Sequence, residues 1–208
     1  MLWELASIKL RGGPNGLAAE QVRAAQRDRL LRSMAEVVGQ VGYADTTVRR
    51  LLAHAVISRR TYYELFTDKE DCYLAAYDEA TTHVFSLVRT ATTSFTGARE
   101  RIEAGLAALL GFCADNPLIA RAFIVEVLAA GEQARNHRAR TMETLAVMTA
   151  TALADDHPRP GMAALAGQAF VGGVHEVIYA PIDRGEVEVL PMLAPALIEA
   201  QIGALVPA

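Results

Sequence analysis

At 208 residues, 52% of them hydrophobic and 21% charged, the chain has the length for one large domain or one small and one larger domain, and the composition of a well-buried globule. Its longest uncharged stretch, Pro160 to Val174, is only 15 residues and contains glycines and Gln168, which excludes a membrane span there; no basic-then-apolar leader opens the chain, so the expectation is a cytoplasmic protein with no membrane partner. The net charge of −4 hides an asymmetry: residues 1–70 hold eleven Lys and Arg against eight Asp and Glu, a balance of +3, which leaves −7 for residues 71–208. A basic head on an acidic body suits a nucleic-acid-reading module joined to a regulatory one, because the field that matters is local.

Residues 1–16 form an arm, in which Arg11-Gly12-Gly13-Pro14-Asn15-Gly16 is too rich in turn formers for regular structure. Leu2, Trp3, Leu5 and Ile8 fit a short amphipathic helix, Lys9 and Arg11 suit a minor groove, and a poorly ordered terminus is the plainer alternative. From Leu17 to Val41 the spacing is helical, with Leu31, Met34, Ala35, Val38 and Val41 on one stripe and Gly42 as the stop. Arg23, Arg27, Arg29 and Arg32 give this helix a basic surface; Glu20 and Asp28 lie among them, so a solvated, salt-bridged face accounts for most of it.

Asp45-Thr46-Thr47 supplies capping side chains for a short helix over Val48 to His54, with Val48, Leu51 and Leu52 at core spacing. Ala55-Val56-Ile57 is a brief apolar joint. Ser58 then caps a second helix running to Phe66, with Tyr62, Leu65 and Phe66 on one face and Arg59, Arg60, Tyr63 and Glu64 largely on another. Thr67 to Glu70 reads as a capping box that starts the next helix, with Lys69 in its first turn, where the helix dipole disfavours a cation and a nearby anion would explain it better. Helix, short turn and capped second helix with basic and aromatic outward groups is the layout of a helix-turn-helix, over about residues 47–66.

Residues 29–74 resemble the DNA-binding domain of the TetR/AcrR family of bacterial transcriptional regulators. The resemblance is carried by Leu30-Leu31, Met34-Ala35, Val38, Gly42-Tyr43, Thr46-Thr47-Val48, Leu52-Ala53, Ala55, Ile57-Ser58, Thr61, Tyr63, Phe66 and Lys69-Glu70. It implies Thr47, Tyr63 and Lys69 as phosphate contacts and Arg59, Arg60 and Thr61 as the residues nearest the bases. The chemistry agrees, since hydroxyls and an ammonium are good phosphate donors and an arginine also grips guanine through two bonds. Tyr62 stands where the family usually has an aliphatic residue and reads as partly buried. His54 reads as a surface histidine, with a phosphate contact as the alternative. Val56 stands where the family's turn carries glycine; a β-branched residue at a positive-φ position costs roughly 1–2 kcal/mol unless the turn is reshaped.

Beyond Asp71 helical patterns run over about 71–92, 98–114, 117–130, 132–155, 161–182 and 191–206, with breaks at 94–97, Asn116-Pro117, Gly131, 155–160 and Arg184-Gly185. The strand-like alternation Glu186-Val187-Glu188-Val189 is too short to bear a sheet. The expected fold is therefore all-α, about nine helices: a three-helix DNA-binding domain over 17–70 and a larger ligand-binding and dimerisation domain over 71–208. Small residues between Gly161 and Val174, among them Gly167, Gly172 and Gly173, suggest crowding by another element. The last helix carries Leu193, Leu197, Ile198, Ile202, Leu205 and Val206, so these two helices from two subunits would make a four-helix bundle, or else belong to a core within one chain.

A ligand pocket belongs among the helices of residues 75–180. Phe112, Phe123, Met142, Met148 and Phe170 are the bulky apolar candidates to line it, and Glu126 and His175 the polar groups to orient a small apolar or amphipathic ligand. Glu126, between apolar residues, must find a partner or shift its pKa. Catalytic and metal-binding constellations are not found: there is no HExxH, no GxSxG and no phosphate-binding glycine loop, the five histidines stand singly, and Cys72 and Cys113 lack ligand spacing. No catalytic residue, metal or cofactor is expected. The resemblance thus points to a homodimeric repressor on a palindromic double-stranded DNA operator, released by a small molecule; a constitutive DNA-binding dimer and, more remotely, an α-helical enzyme are the alternatives.

Overall fold

The computed structural model describes Leu2, residues 19–154 and residues 160–201. Among these residues there are nine α-helices and no strand: α1 Ala19–Val41, α2 Val48–Ala55, α3 Arg59–Leu65, α4 Lys69–Thr92, α5 Ala98–Asp115, α6 Pro117–Ala120, α7 Glu132–Ala154, α8 Pro160–Arg184 and α9 Leu190–Gln201. The arm's Trp3, Lys9 and Arg11, and Ile202, Leu205 and Val206 of the last helix, lie outside the described residues.

Local chemistry sets most of these boundaries. Gly42, at φ 81°, ends α1, and its N–H donates to Val38 O at 2.8 Å. Thr47 Oγ1 accepts from Arg50 N at 3.3 Å to open α2, and Ser58 Oγ accepts from Thr61 N at 3.1 Å to open α3. The cap of α4 differs from expectation by one residue. Asp68, not Thr67, is the N-cap, its Oδ1 accepting from Asp71 N at 2.9 Å, while Asp71 Oδ2 accepts from Thr67 N at 2.8 Å. A carboxylate at the N-cap accepts more strongly than a hydroxyl, and an acidic first turn suits the positive end of the helix.

The single helix expected over 117–130 is broken in three. After the four residues of α6 the chain widens into a π-turn, Arg121–Val125, then tightens into a 3₁₀ turn, Glu126–Leu128. The break falls where this segment meets α1: a Cβ on Gly39 would collide with the carbonyl oxygen of Leu118, and Glu126 is turned onto Gly42 and Tyr43. One regular helix cannot hold the first approach and aim the second group, and π-turns often mark such places. The alternating residues before α9 likewise form a 3₁₀ turn, Val187–Val189.

Two apolar cores result. The first joins Leu30, Leu31, Met34 and Val38 of α1 to Leu51, Tyr62 and Phe66, and extends past residue 70 to Tyr73, Tyr77, Phe123 and Val127. The second packs α5, α8 and α9 through Leu106, Leu110, Val174, Ile178, Leu190 and Ile198. α4 starts in the first core and runs out along α5. Two glycines of α8 are crowded by other elements of the same chain. A Cβ on Gly167 would collide with Ala146 O of α7, and one on Gly173 would come within 2.6 Å of Gln201 Oε1 on α9, so both serve packing within the chain. At Gly172 the same Cβ would meet open space.

Candidate nucleic-acid interface and apolar cavity

α3 is held from beneath and free above. Tyr62 is fully buried rather than partly so, its hydroxyl donating to Asp68 O at 2.8 Å, and burial holds its phenol far above the ordinary tyrosine range. Phe66 lies beside it, ring centroids 5.9 Å apart. This anchor fixes the outward face. Arg59 and Arg60 are exposed, as is Tyr63, whose ring stands edge-on to Tyr62 at 5.3 Å. The Arg59 guanidinium lies 5.6 Å from the Tyr63 ring centroid, and Arg60 Nε donates to Glu64 Oε1 at 2.8 Å. Thr61 Oγ1 is 2.9 Å from the capping Ser58 Oγ. Thr47 is exposed at the start of α2. Arg59, Arg60, Thr61 and Tyr63 therefore share one short capped helix, with Thr47 and Lys69 at the first residues around two neighbouring helix starts.

Lys69 has a partner that charge reasoning did not suggest. Its ammonium donates to Tyr43 O at 2.9 Å and sits 4.0 Å from the centre of the Tyr43 ring. Desolvation lowers its pKa. A carbonyl and a π-face thus offset the unfavourable dipole, and two of its three N–H donors remain for other acceptors. His54 faces α1, with Nδ1 3.0 Å from Ser33 Oγ and Nε2 3.6 Å from Glu36 Oε2. The α1 arginines are largely engaged within the chain: Arg27 with Glu79 at 2.7 Å, Arg32 with Glu36 at 2.9 Å and Arg23 on Glu64 O at 3.0 Å.

The turn between α2 and α3 is not reshaped to suit its valine. Val56 adopts φ 53°, ψ 52°, the one described non-glycine residue at positive φ, and its side chain is 81% exposed. Ile57 N donates back to Leu52 O at 3.2 Å, which closes the helix as a glycine cap would.

Between α4, α5, α7, α8 and residues 119–124 lies a cavity of about 470 Å³, walled mainly by aliphatic and aromatic side chains. Phe112, Phe123, Met142, Met148, Phe170 and His175 line it. Glu126 does not. Its Oε2 accepts from Tyr43 N at 2.9 Å, and its Oε1 lies 3.3 Å from Arg121 Nη2, while Arg121 Nη1 also reaches Asp183 Oδ1 at 2.8 Å. A carboxylate in apolar surroundings is stable only with such donors, and the 3₁₀ turn aims it away from the cavity and at the head of the molecule. The charged residues that do line the cavity are Arg89, Arg101 and Arg138, with no Asp or Glu among the lining residues. Arg138 Nη2 lies 3.2 Å from His175 Nε2. Burial and the Arg138 charge depress the His175 pKa, which keeps its ring neutral at pH 7.

Sequence reasoning missed Arg138, Gly39 and Tyr43. Arg138 is one arginine among several in α7 and nothing in its neighbours marks it; Gly42-Tyr43 stood in the helix-turn-helix pattern without a role. Among the described residues no three His, Cys, Asp or Glu side chains converge as a metal site. Both cysteines are buried, which pushes their thiols up, Cys113 to about 12. No single described helix is long and apolar enough to cross a membrane.

Residues 30–76 match a family model described as bacterial regulatory proteins of the tetR family. A comparison with curated proteins finds no match. Solved structures do match. The fatty acid degradation regulator FadR from Bacillus halodurans superposes with a TM-score of 0.77 at 16% identity, over 94% of this chain and 98% of that one. FadR from Bacillus subtilis, solved in complex with stearoyl-CoA, gives a TM-score of 0.74 at 15% identity, over 85% and 98% of the two chains. A TetR-family transcriptional regulator from Streptomyces coelicolor gives 0.74 at 20% identity, over 92% and 97%. At these identities the likeness is one of fold.

Proposed function

The chain belongs, through its N-terminal helix-turn-helix, to the tetR family of bacterial regulatory proteins, and from that premise we propose that it is a cytoplasmic, non-enzymatic homodimeric repressor released from its operator by a small molecule. The observation that carries this reading is the outward face of α3: two exposed arginines and an exposed tyrosine on a helix whose other face is pinned by a fully buried Tyr62. A fixed backbone that presents basic tips to solvent is what reading a major groove requires.

In this reading residues 17–70 bind DNA and residues 71–208 dimerise and bind the ligand. Arg59, Arg60 and Thr61 meet bases; Thr47, Tyr63 and Lys69 meet phosphates. Each subunit takes one half of a two-fold symmetric site, the halves about one helical turn or a multiple apart. Dimerisation is supported by an exposed stripe on α8, Leu165, Ala169 and Gly172, each a helical turn from the next. Leu165 is 60% exposed. The ligand occupies the cavity, and the stearoyl-CoA complex of the B. subtilis protein supports an apolar body for it. Coupling runs through residues 117–128, because Ile119, Ala120, Phe123 and Ile124 line the cavity while Glu126 holds the turn before α2. A ligand that packs better when this segment is displaced shifts the population away from the DNA-competent state; a hundredfold change in occupancy requires about 2.7 kcal/mol of differential affinity.

The test is a fluorescence-anisotropy titration against genomic fragments, including the DNA beside the protein's own gene, at two salt concentrations. Tight, salt-sensitive binding to a few fragments with a two-fold symmetric site is expected. Tyr63→Phe is expected to weaken binding to all fragments alike, and Arg60→Ala to relax sequence preference as well, by about 1–3 kcal/mol at one base pair. Wild-type affinity and selectivity in both variants at both salts would sink the assignment.

A further inference from the structure

We propose that the cavity takes an anionic amphipath, an elongated apolar body ending in a carboxylate, and that Arg138 receives the carboxylate. The proposal rests on the reading of the cavity as the ligand site and specifies what that ligand must be.

The walls hold three arginines and no acid, so the lining is net positive in otherwise apolar surroundings. The three are not equivalent. Arg89 is exposed on the last turns of α4, and Arg101 donates to Ala152 O near the end of α7. Arg138 lies at the opposite end of α7, near Tyr77 and His175. Its guanidinium contacts a histidine ring, and its buried Nε has no hydrogen-bond partner among the described residues, a feature shared with Arg101 Nε although the rest of the Arg101 guanidinium is engaged on a backbone carbonyl. His175 cannot balance the charge. Its ring is neutral or positive, and burial together with Arg138 itself favours the neutral form. Nor does a described carboxylate come within ion-pair distance: the nearby Asp78 is taken by His137.

A guanidinium left in that setting calls for an anion, and a carboxylate matches its fork with two parallel N–H···O bonds. A cationic ligand would be repelled, and a neutral one would leave the guanidinium unpaired. Shape supplies the rest. Along α7 the lining extends from Arg138 to Ala152, about 21 Å at 1.5 Å per residue. Met142, Leu145, Met148, Leu106 and Val174 wall that length, and the methionines adapt to a flexible chain. The ligand therefore lies lengthwise, acid end toward Arg138 and the DNA-binding head, apolar end toward Arg101.

The test is isothermal titration calorimetry of the full chain with dodecanoate, dodecan-1-ol and dodecanoyl-CoA. Wild-type protein is expected to bind the acid at least tenfold more tightly than the alcohol. Arg138→Gln is expected to abolish that difference with the alcohol affinity changed less than twofold, while Arg138→Lys and Arg101→Gln keep it. The proposal fails if acid and alcohol bind equally to wild type, if Arg138→Gln or its charge-free companion Arg138→Met keeps the preference, or if the thioester binds more tightly than the acid and is insensitive to Arg138. It fails equally if wild type binds none of the three. The same preparations are titrated with operator DNA without ligand. Intact DNA binding with no acid preference rejects the head-group assignment alone, whereas loss of selective DNA binding in wild type rejects the regulator and leaves calorimetry to judge the cavity.

Discussion

Val56 occupies a left-handed backbone conformation, φ 53°, that glycine would hold without its Cβ meeting the following carbonyl. With its side chain 81% exposed, the valine gains little packing in return. Val56→Gly is therefore expected to stabilise the protein by about 1 kcal/mol, the relieved strain exceeding the extra freedom glycine gives the unfolded chain. A urea titration would show it as a higher midpoint with an unchanged slope; a lower midpoint would mean that the turn is not strained. Position 56 was readable through the family resemblance, whose turn carries glycine there; Ala55-Val56-Ile57 by itself shows only a short apolar joint. Glu126 was half readable. That a carboxylate flanked by Val125 and Val127 must find donors follows from its surroundings, yet the donors are Tyr43 N, 83 residues away, and Arg121. Nothing local announces a partner that distant.

Elements tell the same story through their ends. Thr47, Ser58, Gly42 and Pro117 act within a few residues of themselves, so α2, α3, the stop of α1 and the start of α6 fall where composition places them. The break inside 117–128 has no such marker, because it answers to α1. Gly39 is the other half of that contact. In the middle of a helix an alanine is ordinarily better than a glycine by about 1 kcal/mol. Here the added methyl would collide with Leu118 O, a backbone atom that cannot swing aside. Gly39→Ala is thus expected to reverse the usual sign and destabilise by about 1–3 kcal/mol. Thermal unfolding followed by circular dichroism measures it, and a higher Tm would mean that the segment yields easily. Because the same segment carries Glu126 and lines the cavity, the variant should also lose part of the ligand's effect on DNA affinity.

For the molecule as a whole, the small residues of α8 were readable as a close-approach surface but not as to what approaches. Gly167 and Gly173 face α7 and α9 of the same chain, while the side carrying Leu165, Ala169 and Gly172 is open. Helical periodicity reports that a face is apolar, never whose surface covers it. Leu165→Glu puts a charge on that open stripe without touching either core. It is expected to turn the protein from dimer to monomer in sedimentation velocity and to lower operator affinity by at least tenfold; an unchanged dimer would place the subunit contact elsewhere. The division of labour within the cavity was likewise only partly visible, since Phe112, Phe170 and His175 stand out by type whereas Arg138 is distinguished by a contact with His175, 37 residues away.

One element belongs to both halves of the protein. α4 is unbroken from Lys69, whose ammonium holds Tyr43, to Thr92 beside the cavity, 24 residues or about 36 Å. A rigid rod of that length turned through about 5° moves its tip by about 3 Å, close to the roughly 3.4 Å rise between stacked base pairs. In a two-fold pair, a cavity that reshapes itself around a guest would thus alter which spacer length between half-sites fits best. Loss of repression would then be a change in the ruler by which the two heads measure DNA, with the chemistry of each reading head left as it was.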